Sequence, residues 1–325
     1  MEAIVCEAYG PVDDLVLREL PEPVPGPGEI RLQISAVGVN FPDALLVRGL
    51  YQVKPDLPFV PGIECAGTID ALGEGVSGFE AGDRVAAMSP RFGTYAQAVV
   101  VPASHAYLLP ASLEFTQVGG LLCAHGTAYH ALVQRGSLQA GETLLVTGAA
   151  GGTGLAAVQI GCALGAHVIA ACSTAEKLEV AKRHGAHTGI NTSGDDLREA
   201  IRSLTGGNGA DVIFDPVGGE LAGALSRSVA WRGRWLVIGF AGGKIPQLPL
   251  NLPLVKGYSV VGVFWGNFCE KESDQAHQNH QQLFELTASG ALQPQLHAVM
   301  PLAQAANALQ QIEQRTVCGK IVLTP

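Results

Sequence analysis

Residues 143–161, TLLVTGAAGGTGLAAVQIG, join a β-branched apolar run to a helical run through a turn holding Gly148, Gly151, Gly152 and Gly154. Glycines there let backbone approach backbone or an anionic ligand closely, and the helix N-terminus supplies unpaired N–H groups and a favourable dipole. The usual first glycine of a GxGxxG loop is Ala149, so the pattern is AxGxxG. Its place between a strand and a helix makes it a candidate pyrophosphate cradle.

The grammar around this loop predicts the fold class. From residue 143 onward, apolar runs (143–147, 167–171, 211–214, 234–240) alternate with helical stretches (154–164, 175–184, 197–204), as in a doubly wound parallel sheet. The first third instead carries short β-rich runs such as 30–39 and 84–88, punctuated by PEPVPGPGE and LGEGVSGFEAGD, the pattern of a small β-rich domain. After an apolar run at 258–265 come a polar helix near 275–287, a helix near 302–314 and a last strand at 320–323. That tail is too short for a domain of its own. The expected organisation is a β-rich domain, 1–121 completed by 268–325, with a nucleotide-binding domain, 122–267, inserted in it.

Of the 325 residues, 47% are hydrophobic and 15% charged, which suits sizeable buried cores and excludes a disordered chain. The formal charge of -9, without a block of Lys or Arg, argues against nucleic acid as a partner. Seven widely spaced cysteines without a CxxC suit reduced thiols, and no stretch reads as a secretion signal or membrane span. A cytoplasmic protein is expected. His277/His280 and His184/His187 lack further nearby ligands and read as solvated helix or loop residues rather than a metal site.

The strand after the glycine loop ends at Cys172, where NAD-preferring enzymes place an acidic residue for the ribose 2′-hydroxyl. Ser173, Thr174 and Lys177 follow, hydroxyls and an ammonium able to bind a 2′-phosphate, so NADPH is the expected cofactor.

NFPD (40–43), PGIECAG (61–67), GVSGFEAGDRVAA (75–87), CAHGTAYHAL (123–132), GAAGGTG (148–154), FDPVGG (214–219), FWG (264–266) and GKIVL (319–323) together resemble the zinc-independent, zeta-crystallin-like quinone oxidoreductases of the medium-chain dehydrogenase/reductase superfamily. The resemblance spans the whole chain. It implies an α/β protein in which a Rossmann domain is inserted in a GroES-like catalytic domain, with NADPH in the cleft between them. It also implies a homodimer joined through the last Rossmann strand, here 258–265, and hydride transfer from NADPH to a quinone. Asn40, Ile63 and Cys123 match the catalytic ligand positions of zinc-dependent members, and the lobe with four cysteines is absent, so no zinc is expected.

By the same match, Asn40 and Tyr51 line the substrate site, where an amide and a phenol could hydrogen-bond substrate oxygens, and Thr127 lies under the nicotinamide. Gly239, Phe240 and Phe264 flank the cofactor, and Arg315 reaches the adenosine phosphate. Three departures stand out: Leu45 and Thr192 replace tyrosines found in some relatives, and Pro42 replaces the proton-relay hydroxyl of alcohol dehydrogenases. The first leaves Tyr51 as the only phenol of its segment. Because a reduced quinone anion is delocalised and can take its proton from water, no strong acid is required. Reduction of an enone, alkenal or enoyl thioester is the alternative activity, and a non-enzymatic, crystallin-like NADPH-binding protein the alternative class.

Overall fold

The computed structural model describes residues 1–325, which form two compact units. One comprises Met1–Ala124, His280–Gly290 and Pro294–Pro325; the other comprises His125–Asn279 and Ala291–Gln293. The second unit thus extends to Asn279 instead of ending at 267. The reason is packing: Trp265 covers Gly126, the His130 and Phe268 rings stack with centroids 3.7 Å apart, and Gln134 donates to Asn279 at 3.0 Å.

In the second unit six parallel strands line up as Thr188–Asn191, His167–Cys172, Thr143–Thr147, Ala210–Asp215, Val229–Val237 and Ser259–Gly262. The chain order reverses beside Thr143–Thr147, which makes the end of that strand the switch point where such sheets bind ligands. The central strands are apolar on both faces because helices cover both, and Leu145, Ile169 and Ile213 lie in one fully buried cluster. The run expected to be a strand over 258–265 is shorter: Ser259–Gly262 is extended, and Trp265 already begins the helix Trp265–Lys271.

The first unit is built on a seven-stranded sheet whose long strand Glu29–Val39 pairs with Glu64–Leu72, Ala98–Pro102 and the final strand Lys320–Thr324. The alternation in Glu29–Val39 buries Ile30, Leu32 and Ile34 against Ile69, Val85 and Leu323. The helix Phe41–Val47 follows immediately, with Pro42 in its first turn where a missing N–H costs nothing.

Gly67 marks the closest approach in this sheet. A β-carbon there would stand 2.0 Å from the Gln33 carbonyl oxygen, at an irregularity in the pairing of Glu29–Val39 with Glu64–Leu72. Gly67→Ala should therefore cost about 1–3 kcal/mol of stability, as overpacking does. A urea midpoint unchanged by the substitution would show that the strands do not run this close.

Candidate functional site

In the second unit, the loop after Thr143–Thr147 has the geometry its glycines suggest. Gly148 sits at φ +57°. A β-carbon on Gly154 would meet the Gly148 carbonyl oxygen at 2.2 Å, so the helix Gly152–Ala163 can start this close to the strand only with glycine there. The Ala149 N–H donates to Ala171 O (3.3 Å), tying the loop to the neighbouring strand. Ala149 is buried, whereas Gly148, Gly151 and Gly152 remain partly exposed.

Cys172 ends that strand, buried, and Ser173 follows it, exposed. The Thr174 hydroxyl oxygen accepts the Lys177 N–H at 3.3 Å and caps the helix Ala175–Arg183. That role occupies Thr174 and leaves Ser173 and Lys177 as candidate phosphate ligands. Thr192 is spent on backbone, its hydroxyl donating to Cys172 O.

Asp215, which sequence reasoning missed as a site organiser, is 3% exposed. Its carboxylate accepts the Thr147 hydroxyl (2.6 Å), the N–H groups of Val217 and Gly218 (3.1 and 3.0 Å) and the Trp235 indole N–H (3.2 Å). It thereby fixes three strand ends and the FDPVGG turn around the switch point. Gly239 and Phe240 follow Val229–Val237, with the Phe240 ring against Gly218. Phe264 is half exposed at the start of the helix Trp265–Lys271, and Thr127 is partly exposed on Leu121–His130.

The first unit holds Asn40, Tyr51 and Arg315, the last exposed at φ +57°. Asn40 differs from the expectation that its amide meets substrate. It is buried, and its Nδ2 donates to Glu64 Oε1 (2.7 Å) and to Gly38 O (3.3 Å), so both amide protons point inward. Lys320 Nζ donates to Asn40 Oδ1 (2.6 Å), Val39 O (2.8 Å) and Glu64 Oε1 (3.1 Å), while Glu64 Oε2 accepts the Cys123 N–H (2.8 Å). Ile63, at a former ligand position, offers no donor atom. No group of three or more His, Cys, Asp or Glu side chains is arranged to hold a metal.

Beside this network lies Asp43, completely buried, whose Oδ2 accepts the Asn40 N–H (2.8 Å) and the Tyr95 hydroxyl (3.0 Å) while Oδ1 has no partner. Burial pushes its carboxyl up to about 7, against the pull of those two donors and of Lys320, with Glu64 raising it further. Tyr51 is half-buried, and desolvation, with Cys123 and Asp43 adding to it, raises its phenol and keeps it a neutral donor.

Two family models match the chain: an alcohol dehydrogenase GroES-like domain over residues 26–111 and a zinc-binding dehydrogenase domain over residues 152–282. A quinone oxidoreductase-like protein 2 homolog of Nematostella vectensis is 37% identical over 300 residues, covering 92% of this chain and 82% of that protein. A 2-haloacrylate reductase of Burkholderia sp is 32% identical over 332 residues, covering 100% and 99%. Among solved structures, the Escherichia coli quinone oxidoreductase complexed with NADPH superposes with a TM-score of 0.93 at 29% identity, covering all of both chains.

Asp43 gives a pH test. An unfolded Asp titrates near 3.8 and the folded one near 7, so the native state loses stability progressively as pH rises between those values. Asp43→Asn should remove that slope: thermal midpoints of wild type should fall relative to the variant from about pH 4 to 7 and run parallel above it. A difference that does not vary with pH would contradict a buried ionisation.

Proposed function

We propose, for a chain that belongs to the zeta-crystallin-like quinone oxidoreductase family of the medium-chain dehydrogenase/reductases, NADPH-dependent reduction of a quinone by hydride transfer without zinc. The observation that carries the reading is the loop Gly148–Gly154, where the backbone turns from strand to helix with no β-carbon in the way and no carboxylate stands at the tip of the next strand. Those features suit a dinucleotide with a 2′-phosphate: the loop N–H groups for the pyrophosphate, Ser173 and Lys177 for the 2′-phosphate. Thr127, Gly239, Phe240 and Phe264 are assigned to the nicotinamide half and Arg315 to the adenosine phosphate. Bound NADPH supplies the hydride.

Tyr51 donates its phenolic hydrogen bond to the carbonyl oxygen that gains charge, and water supplies the final proton. Asn40 holds rather than donates, because both its amide protons are committed. Zinc does not fit among these residues, since Ile63 offers no donor atom and Asn40 and Glu64 are engaged with Lys320, with one another and with backbone. A relative named as a 2-haloacrylate reductase favours one second reading, reduction of an activated carbon–carbon double bond on the same scaffold.

Assembly as a homodimer is part of the reading. The edge strand Ser259–Gly262 has an open side, and Trp231, packed over Gly257, lies exposed with Leu254 and Val255 in the same unit. A cytoplasmic location suits seven cysteines with none in a disulfide, and no helix is long and apolar enough to cross a membrane.

Following NADPH oxidation across a panel of quinones and enones tests the activity. NADPH binding without oxidation of any of them would refute it. On a quinone, Tyr51→Phe should lower turnover by about tenfold or less, roughly 1.4 kcal/mol, and by more on an enone, whose enolate gains more from a donor. A thousand-fold loss on the quinone would make Tyr51 an essential acid. Lys177→Ala should weaken NADPH roughly 10–150-fold and leave NADH nearly unchanged, from the loss of one charge-assisted hydrogen bond. Equal weakening of both would refute the phosphate assignment.

A further inference from the structure

Lys320 begins the last strand, yet its side chain runs inward and is 7% exposed. Its stem lies against Gly120, where a β-carbon would come within 2.7 Å of Lys320 Cε. Its three ammonium protons have three acceptors, Val39 O, Asn40 Oδ1 and Glu64 Oε1. Glu64, with no exposed surface, uses its other oxygen on the Cys123 N–H in the first turn of Leu121–His130. There is no slack nearby: a β-carbon on Gly38 would meet Glu64 Oε1 at 2.4 Å and Gly119 O at 2.5 Å.

Stability does not account for such a pair. Removing two charges from water costs several kcal/mol per ion, and apolar or neutral replacements of similar volume often leave a protein as stable or more so. What the ammonium does impose is orientation. With Lys320 present, Asn40 Oδ1 must face the cation and Nδ2 must face Glu64; with a neutral amide in place of the Glu64 carboxylate and no lysine, the Asn40 side chain could turn over and still find partners. Asn40 is the residue from which the helix Phe41–Val47 starts. That helix ends in a tight turn, Gly49 N–H to Leu46 O and Leu50 N–H to Leu45 O, delivering the chain to Tyr51.

We propose that Lys320 is a positioning residue: a tethered internal cation that sets the orientation of Asn40 and Glu64 and their hold on the Cys123 N–H, and so fixes where the Tyr51 phenol stands. The proposal rests on the hydride-transfer reading for its kinetic consequence but not for its structural one.

The test uses the whole protein with Lys320→Met/Glu64→Gln, which removes both charges together, and Lys320→Arg, which keeps the charge but replaces a tetrahedral donor with a planar fork. In protein labelled with 13C-tyrosine, the Tyr51 ring resonance, assigned by its loss in Tyr51→Phe, should move or broaden in both variants. NADPH affinity should stay within about threefold of wild type, because Lys320 touches none of the cradle. Quinone kcat/KM should fall by no more than Tyr51→Phe itself costs, about tenfold or less, and Tyr51→Phe should cost far less in the double variant than in wild type, since a displaced phenol has little left to lose. An unmoved Tyr51 resonance in both folded variants, or an undiminished cost of Tyr51→Phe, would overturn the proposal. Should the double variant fail to fold, Lys320→Arg alone decides on the same two readouts. A wild type that binds NADPH but reduces nothing would sink the hydride-transfer reading, and the resonance would still decide the role of Lys320.

Discussion

Between Gly148 and Gly154 the backbone closes to a separation that excludes a β-carbon, and the turn from strand to helix can be made only because Gly154 lacks one. The rest of the nucleotide-binding unit follows from that approach. It brings a helix N-terminus over the switch point of the sheet, where Asp215 gathers Thr147, Val217, Gly218 and Trp235 into one hydrogen-bonded knot. A carboxylate with four donors is well satisfied in a buried place, and it holds the turn that carries Gly218 against Phe240.

The β-rich unit solves a different problem. It buries Asp43, Glu64 and Lys320 close to one another, two acids for one base. Burial above all, with Glu64 adding to it, raises the Asp43 carboxyl, and neutral donors, the Tyr95 hydroxyl and the Asn40 and Cys123 N–H groups, meet carboxylate oxygens of the two acids. The one base of this network is a side chain, Lys320, whose position is set by the strand that bears it.

Much of this was legible beforehand. Local rules sufficed where a single segment decides its own structure: Thr143–Thr147 and Leu197–Leu204 fall where periodicity puts them, and the glycine loop announces itself by position. They failed where partners are remote in sequence. Lys320 in GKIVL looks like an ordinary strand residue, and its contacts with Val39, Asn40 and Glu64 lie 256 to 281 positions away. The direction in which the Asn40 amide points was not legible either, because that depends on Lys320. The boundary expected after 267 lies elsewhere for a similar reason: Trp265 and Phe268 belong with Gly126 and His130, a packing choice that hydropathy does not encode.

The way the two units are threaded bears on how the molecule comes to be made. The nucleotide-binding unit is nearly one continuous stretch, His125–Asn279, and can close as it is synthesised. The β-rich unit cannot, because Glu29–Val39 waits for its partner Lys320–Thr324 until almost the whole chain exists. Until then the Val37–Val39 end of that strand lacks its neighbour and Glu64 lacks Lys320. The growing polypeptide therefore passes through a period in which the earlier-made unit is the less finished, with a short strand edge available to any other chain that could add to it.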